Sequence, residues 1–388
     1  MRHALLVSYY FPPRFSVGGK RAHRFAKYLP DHGWSTTVLT APALSGERLD
    51  ASFDDAELTR CDVVREYLSA DEVAKIPKRE LGSDGTVDKP TNLSMPLADK
   101  RGIARIRGEM KLVPIIGADV RKLPVLASRI ARAARRSGAE IIFASGSPWE
   151  APIAATAAAR ALGLPVIIDF RDPWTFGPVM VSRPSWARAV DRLAERAVIR
   201  AADVLTVTSD ATRDAYAAID PSARIERIRN AFDPAQIVTP RRDDRVTLIH
   251  FGNCYCGRTL APFLRAFARV VKRRGVGPER ARVLNLGRVA AEDERLAEEL
   301  GVASMFEHQT VLPYAEGIDL VAGADLALLQ GYGEEPWFLP AKLYDYLLTR
   351  TPTLAISTSS ELAAILEETK LGWAYPADDV TSIAERIE

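Results

Sequence analysis

The sequence predicts an α/β protein built from two doubly wound, parallel-sheet domains in series. Three observations lead there. Apolar runs of strand length alternate with helix-length amphipathic stretches along most of the chain, as in parallel sheets joined by crossover helices. The length of 388 residues suits two domains of about 100 to 200 residues each. Hydrophobic residues make up 47% of the chain and charged residues 26%, a balance that fills two cores and excludes disorder for most of the chain.

In the first half, strands are expected over 3–9, 35–40, 140–144, 165–170, 203–208 and 225–229, with helices over 20–32, 126–137, 151–162 and 186–201. The stretch D-P-A-Q-I-V-T-P-R-R-D-D, from Asp233 to Asp244, holds two prolines and a charge cluster, and a new apolar run starts at Val246. It marks a domain boundary: a first domain over 1–235, a linker over 236–245 and a second domain over 246–388. In the second domain the expected strands are 246–251, 282–286, 325–329 and 353–357, with helices over 261–274, 291–300, 314–322 and 340–349. Two such sheets are expected to face each other across a cleft, and ligands bind outside the carboxyl ends of their strands. Functional residues are therefore sought just after strands.

Charge and cysteine content exclude some classes. With 52 Lys and Arg against 50 Asp and Glu, the chain has no overall basic footprint for nucleic acid. The three cysteines form no C-x-x-C pair, which suits a reducing, cytoplasmic setting and argues against structural zinc. No apolar run is long enough to span a membrane, and the first residues read as a strand rather than a signal peptide. One region breaks the α/β rhythm: 67–124 is polar and irregular. Segment 100–136 carries eleven Lys and Arg against two acids, Glu109 and Asp119. It reads either as an exposed insertion with a solvated basic helix or as a peripheral contact with anionic lipid or another polyanion.

Several post-strand motifs carry candidate chemistry. Tyr10 to Arg21 (Y-F-P-P-R-F-S-V-G-G-K-R) leads from the first strand into a helix. Gly18 and Gly19 there allow close approach of a backbone or an anion, unless the loop is an ordinary turn. Ser145 to Glu150 (S-G-S-P-W-E) and Asp169 to Trp174 (D-F-R-D-P-W) leave two further strands. Arg171 and Asp172 could serve a ligand or form an internal ion pair, and Glu150 adds a carboxylate to the same wall. In the second domain, F-G-N-C-Y-C-G-R-T from Phe251 brings Gly252, Asn253 and Arg258 to a helix start, a recipe for diphosphate. Cys254 and Cys256 read as small packing residues. Finally, E-E-P-W-F-L-P-A-K-L-Y-D-Y from Glu334 puts Lys342 in the first turn of a helix, where a cation is unfavourable without a compensating anion. An intrahelical pair with Asp345 is the plain alternative.

Taken together, Y-F-P-P-x(5)-G-G, D-F-R-D-P-W, R-N-A-F-D, F-G-N-x(3)-G-R and F-L-P-A-K-L-Y-D-Y resemble, in order and over nearly the whole chain, the family 4 retaining glycosyltransferases of GT-B fold, in which two Rossmann-like domains face each other. The resemblance implies a nucleotide-diphosphate sugar donor held mainly by the second domain. It also implies a glycan, lipid-linked or small-molecule acceptor held mainly by the first, no cofactor and no metal, and a place in bacterial-type surface polysaccharide or glycoconjugate synthesis. Arg258 and Lys342 would neutralise the diphosphate, Gly18 and Gly19 would approach donor phosphate or acceptor, and Asp345 stands at the family's ribose-binding acid. Trp337 takes the place of the family's other Glu, so sugar contacts are sought from Glu334, Glu335, Phe338 and Leu339. Asp172, oriented by Arg171, is the expected contact to the acceptor hydroxyl or donor sugar. The alternatives are a sugar-nucleotide epimerase or phosphorylase of the same architecture, or a degenerate protein that binds sugar nucleotide or glycan without turnover.

Overall fold

The computed structural model describes residues 1–14, 17–44, 46–69, 72, 122–176, 184–254, 259–309, 312–331, 337 and 339–388. The chain divides into two units, Met1–Arg229 and Asn230–Glu388. The division precedes the 236–245 segment, which runs along the second unit: Thr239 N–H donates to Asp319 at 2.8 Å and Arg282 pairs with Asp243 at 3.0 Å.

The first unit is a seven-stranded sheet in the order β3-β2-β1-β4-β5-β6-β7, its neighbours all paired in parallel. The strands are β1 (Arg2–Ser8), β2 (Trp34–Leu39), β3 (Cys61–Val64), β4 (Ile141–Gly146), β5 (Val166–Phe170), β6 (Val204–Val207) and β7 (Ile225–Arg227). Around them lie α1 (Val17–Tyr28), α2 (Leu123–Ser137), α3 (Glu150–Leu162), α4 (Ser185–Ala201) and α5 (Asp210–Ile219). Period-2 alternation sends β1 into two cores: Leu5 and Val7 join the core under α2 and α3, while Leu6 joins the one under α1. The Ala-rich stretch of α3 now has a reason. Ala151, Ala154, Ala155, Ala158 and Ala159 are all buried, and their small side chains let the helix lie close over the sheet. α3 in turn packs against both α2 and α4, so the three form one layer.

The second unit is a six-stranded parallel sheet in the order β10-β9-β8-β11-β12-β13. Its strands are β8 (Val246–Phe251), β9 (Ala281–Leu286), β10 (Phe306–Gln309), β11 (Leu326–Gln330), β12 (Thr353–Ile356) and β13 (Gly372–Tyr375). Its helices are α6 (Ala261–Arg274), α7 (Ala291–Glu299), α8 (Tyr314–Gly323), α9 (Lys342–Thr349), α10 (Ser360–Glu368) and α11 (Val380–Ile387). Leu248 and Leu328 face one core, Ile249 and Leu329 the other. In each sheet the chain winds outward from its first strand and then resumes on that strand's other side. The winding therefore reverses between β1 and β4 and between β8 and β11, the points where open α/β sheets bind ligands.

Several expectations shift. The first helix starts earlier, at Val17, and gives way at Leu29 to a 3-10 turn containing Pro30, because proline cannot continue the hydrogen-bond ladder. β3, α5, β10, α10, β13 and α11 are additional to the sequence-based elements. The 67–124 insertion lies largely outside the described residues. Its ends are held: Tyr67 is buried, and Arg129 donates to Tyr67 O at 3.0 Å and Glu72 at 2.7 Å.

Within the first unit, Arg21 of α1 and Asp169 of β5 form a buried ion pair. Arg21 Nη2 lies 2.8 Å from Asp169 Oδ1, and Nε reaches both carboxylate oxygens at 3.1 and 3.0 Å. Removing one partner of such a pair leaves a buried charge, so Asp169→Ala should cost about 3–5 kcal/mol. Arg2→Ala, at an exposed pair with Glu140, should cost under about 1 kcal/mol. Thermal unfolding of the two variants should show a large drop in Tm for the first and almost none for the second.

Candidate functional site

Asp169 organises the carboxyl end of the first sheet. Besides Arg21 it accepts hydrogen bonds from Ser145 of β4 and Thr206 of β6, each at 2.8 Å. Arg21 Nη1 donates to the carbonyl of Arg229 at 3.1 Å. A carboxylate with this many donors is held rigidly in place, and the D-F-R-D-P-W loop starts from it. Arg171 sits 5.7 Å from the Tyr10 ring, donates to Ser147 O at 3.1 Å and reaches Asp172 at 3.4 Å. Gly18 makes this possible: a Cβ there would lie 2.0 Å from Arg171 Nη1. At Gly19 a Cβ would stand 3.0 Å from the Phe11 backbone, so both glycines serve close packing around the β1 loop. Asp172 keeps 47% of its side chain exposed. Glu150 accepts from the Tyr67 hydroxyl at 3.1 Å. Burial pushes the Tyr10 phenol up to about 12 and Tyr67 well above its ordinary value, so both remain protonated donors.

The rest of the loop leans on a buried acid that motif reading passed over. Trp149 and Trp174 stack at 5.0 Å. Trp174 N–H donates to Tyr216 OH at 3.0 Å, and that hydroxyl donates to Glu195 at 3.0 Å. Thr175 gives Glu195 its N–H at 3.1 Å and its hydroxyl at 2.5 Å.

A cavity of about 380 Å³ opens elsewhere in the first unit, lined by loops following β1, β2 and β3, among them Arg14, Leu49, Phe53, Asp54, Asp55 and Arg65. Arg14 is 1% exposed and meets Glu47 through Nε at 2.9 and 3.0 Å. Among the described residues its two Nη atoms have no hydrogen-bond partner. Arg65 pairs with Asp55 at 2.7 Å. Sequence reasoning missed Arg14 and Arg21 because their partners stand 33 and 148 positions along the chain, and Arg65 because it follows β3, a strand the apolar pattern did not show.

In the second unit the loops after β8, β9 and β11 interlock. Gly252 has φ +143°, and a Cβ there would fall 2.2 Å from Lys342 Cε and 2.7 Å from its Nζ. The glycine thus gives the Lys342 stem its place at the start of α9, beside the end of β8. Asn253 Oδ1 accepts from Arg288 N–H at 2.8 Å, which ties it to the β9 loop. Gln330, ending β11, is buried, donates to Cys254 Sγ at 3.8 Å and, among the described residues, has no partner for Oε1. Asp345 is buried and accepts from the Tyr314 hydroxyl at 2.7 Å. Tyr346 OH donates to Leu328 O and receives Phe251 N–H, which fixes α9 against the sheet. Leu339 is buried and Trp337 half-buried. Arg258, Glu334, Glu335, Phe338 and Cys256 lie outside the described residues.

Residues 96–231 match the family model of the glycosyl transferase 4-like domain. That part of the chain is similar to a glycosyl transferase 4-like domain. Solved structures match over the whole length. A sucrose-phosphate synthase from Thermosynechococcus elongatus is similar with a TM-score of 0.64 at 14% identity, covering 100% of this chain and 89% of that one. Anabaena HepE in complex with UDP gives 0.58 at 13%, covering 100% and 91%. WaaG, a glycosyltransferase involved in lipopolysaccharide biosynthesis, gives 0.60 at 12%, covering 99% and 89%. At these identities the likeness establishes the fold, which is GT-B, with the glycosyl transferase 4-like match lying mostly in the first of its two units. No curated protein matches the sequence.

The buried Glu195 generates a pH signature. Burial raises its carboxyl above the ordinary 4.5, outweighing the donors from Thr175 and Tyr216. The folded chain therefore holds a proton that the unfolded chain releases near 4.5, so this group's contribution to stability is full below that pH and falls as pH rises through the elevated folded value. Glu195→Gln removes the slope. The Tm of the variant minus that of the wild type should grow from pH 4.5 towards neutrality, and a difference independent of pH would show that Glu195 titrates normally.

Proposed function

We propose that the protein is a retaining glycosyltransferase that moves a sugar from a nucleotide-diphosphate sugar to a glycan, lipid-linked or small-molecule acceptor, in bacterial-type surface polysaccharide or glycoconjugate synthesis. The observation that carries the reading is Lys342: an ammonium at the start of α9, its stem against Gly252 at the point where the second sheet reverses. A cation at a helix N-terminus opposes the helix dipole, and a diphosphate between them reconciles the two. The UDP bound in the HepE structure supports the same donor class.

In this reading the bond between the sugar's anomeric carbon and the diphosphate oxygen breaks, and negative charge grows on the leaving group. Lys342, Arg258 and the amides of the helix start stabilise that charge, without a metal. Asp345 accepts from the ribose hydroxyls, sharing its carboxylate with Tyr314. Trp337 offers an apolar surface to the sugar. On the first unit, Asp172 is exposed enough to take a hydrogen bond from the attacking hydroxyl, and Arg171, locked by Gly18, Tyr10 and Ser147, sets its orientation. The cavity at Arg14 and Phe53 suits the acceptor's saccharide, since it combines an aromatic floor with guanidinium donors and carboxylate acceptors.

Among the described residues no helix is long and apolar enough to cross a membrane. The reading sets the reaction in the cytoplasm, with peripheral contact at the membrane's inner face. Of the basic segment 100–136, the described part is the Arg-rich α2.

Kinetics test the proposal. Lys342→Ala should weaken nucleoside-diphosphate binding by about 1.5–3 kcal/mol in titration calorimetry and leave the nucleoside alone unaffected. Asp172→Ala should bind nucleotide like the wild type yet lose most transfer. The product should keep the donor's anomeric configuration by NMR. Inversion would refute the retaining reaction, and binding without nucleotide release from any donor would leave a sugar-nucleotide-binding protein.

A further inference from the structure

Helix α4 distributes its charges unlike a solvated helix. Its two carboxylates, Asp191 and Glu195, point inward and are buried. Its cations face out: Arg192, Arg196 and Arg200 are exposed and Arg188 half-buried. Arg200 pairs with Asp220 at 3.5 Å; among the described residues no ion pair engages Arg188, Arg192 or Arg196. On the same outward side stand two large apolar groups, Trp186 at 46% and Leu193 at 69% exposure. Residues 186, 189, 193, 196 and 200 follow the three-and-four spacing of a single helical face.

The neighbouring helices extend the pattern. α2 contains no acid, and its Val125, Arg132, Arg135 and Arg136 are exposed. α3, packed between α2 and α4, exposes Arg160 and carries one carboxylate, Glu150, which is bonded to Tyr67. Among the described residues, acids border this layer at Glu72, paired with Arg129 at 2.7 Å, at Glu66 beside Arg136 at 3.9 Å, at Glu140 past the end of α2, and at Asp203 and Asp220 past the end of α4. Every exposed charge on the three helices is therefore positive.

An arginine-rich face that also exposes a tryptophan and a leucine is built to lie in the headgroup region of a membrane. The guanidinium groups meet lipid phosphates, the indole settles at the interface, and the aliphatic side chain enters the acyl boundary. A nucleic acid would use the arginines and leave Leu193 in water. We propose that the outer face of α4, continued by the exposed side of α2, docks on an anionic phospholipid bilayer. The inference rests on the peripheral membrane contact of the proposed function and gives it a surface; none of these residues belongs to the donor or acceptor groups above, so vesicle binding and sugar transfer fail separately.

The test is co-sedimentation of the full chain with vesicles of phosphatidylcholine alone or mixed with phosphatidylglycerol. The protein should bind the mixed vesicles, and added salt should release it. The pair of substitutions Arg192→Glu and Arg196→Glu should lower partitioning on the order of tenfold or more, and the milder Arg192→Gln with Arg196→Gln should lower it less. Leu193→Ser should weaken binding severalfold, whereas Arg273→Glu on α6 should change nothing. All variants should keep the wild-type Tm. Equal binding to both vesicle types, no binding to either, wild-type partitioning by the variants, or preferential capture by duplex DNA would each overturn the proposal.

Discussion

Asp169 is the point on which the first unit's working end depends. Its carboxylate is fully buried, and a buried charge survives only where every lone pair finds a donor. Those donors come from α1, β4 and β6, and Arg21 carries the connection on to the backbone at Arg229, the last residue of the unit. One electrostatic requirement thereby aligns the glycine-containing start of α1, three strand ends and the chain's exit. The loop that follows Asp169 inherits its position, and with it Arg171 and Asp172.

The second unit solves the same problem with packing. Gly252 yields its side-chain volume to Lys342, Gly287 yields its own to Asn253 and the Gly252 backbone, and Gly317 makes room for the Phe251 ring. Tyr346 then bonds α9 to both β8 and β11. A mobile lysine would be screened by water. Here its stem is confined by backbone, so the charge stays where the sheet reverses, the place at which parallel α/β folds gather ligands.

Much of this architecture was legible in the residues. The long apolar runs became the central strands because parallel strands are covered on both faces. Shorter peripheral elements were not legible: β10 reads F-E-H-Q and β13 reads G-W-A-Y, and strands at a sheet's edge need little hydrophobicity to pair. α5, D-A-T-R-D-A-Y-A-A-I, is only 10 residues long and offers few large apolar side chains, and its start is set by the Ser209 side chain capping Thr212 N–H. At the site, loops read as functional from their glycines and charges do lie at strand ends. Their partners could not be read, since Arg21 and Asp169 are separated by 148 positions, and nothing local to Asp345 announces the Tyr314 hydroxyl.

The central claim is that Lys342 marks a diphosphate site on the second unit. A crystal structure of the chain with the tightest-binding nucleoside diphosphate from a panel tests it directly. The account predicts a phosphate oxygen within hydrogen-bond reach of Lys342 Nζ, about 3 Å, beside the start of α9. A diphosphate bound elsewhere on the chain, with Lys342 untouched, would contradict it.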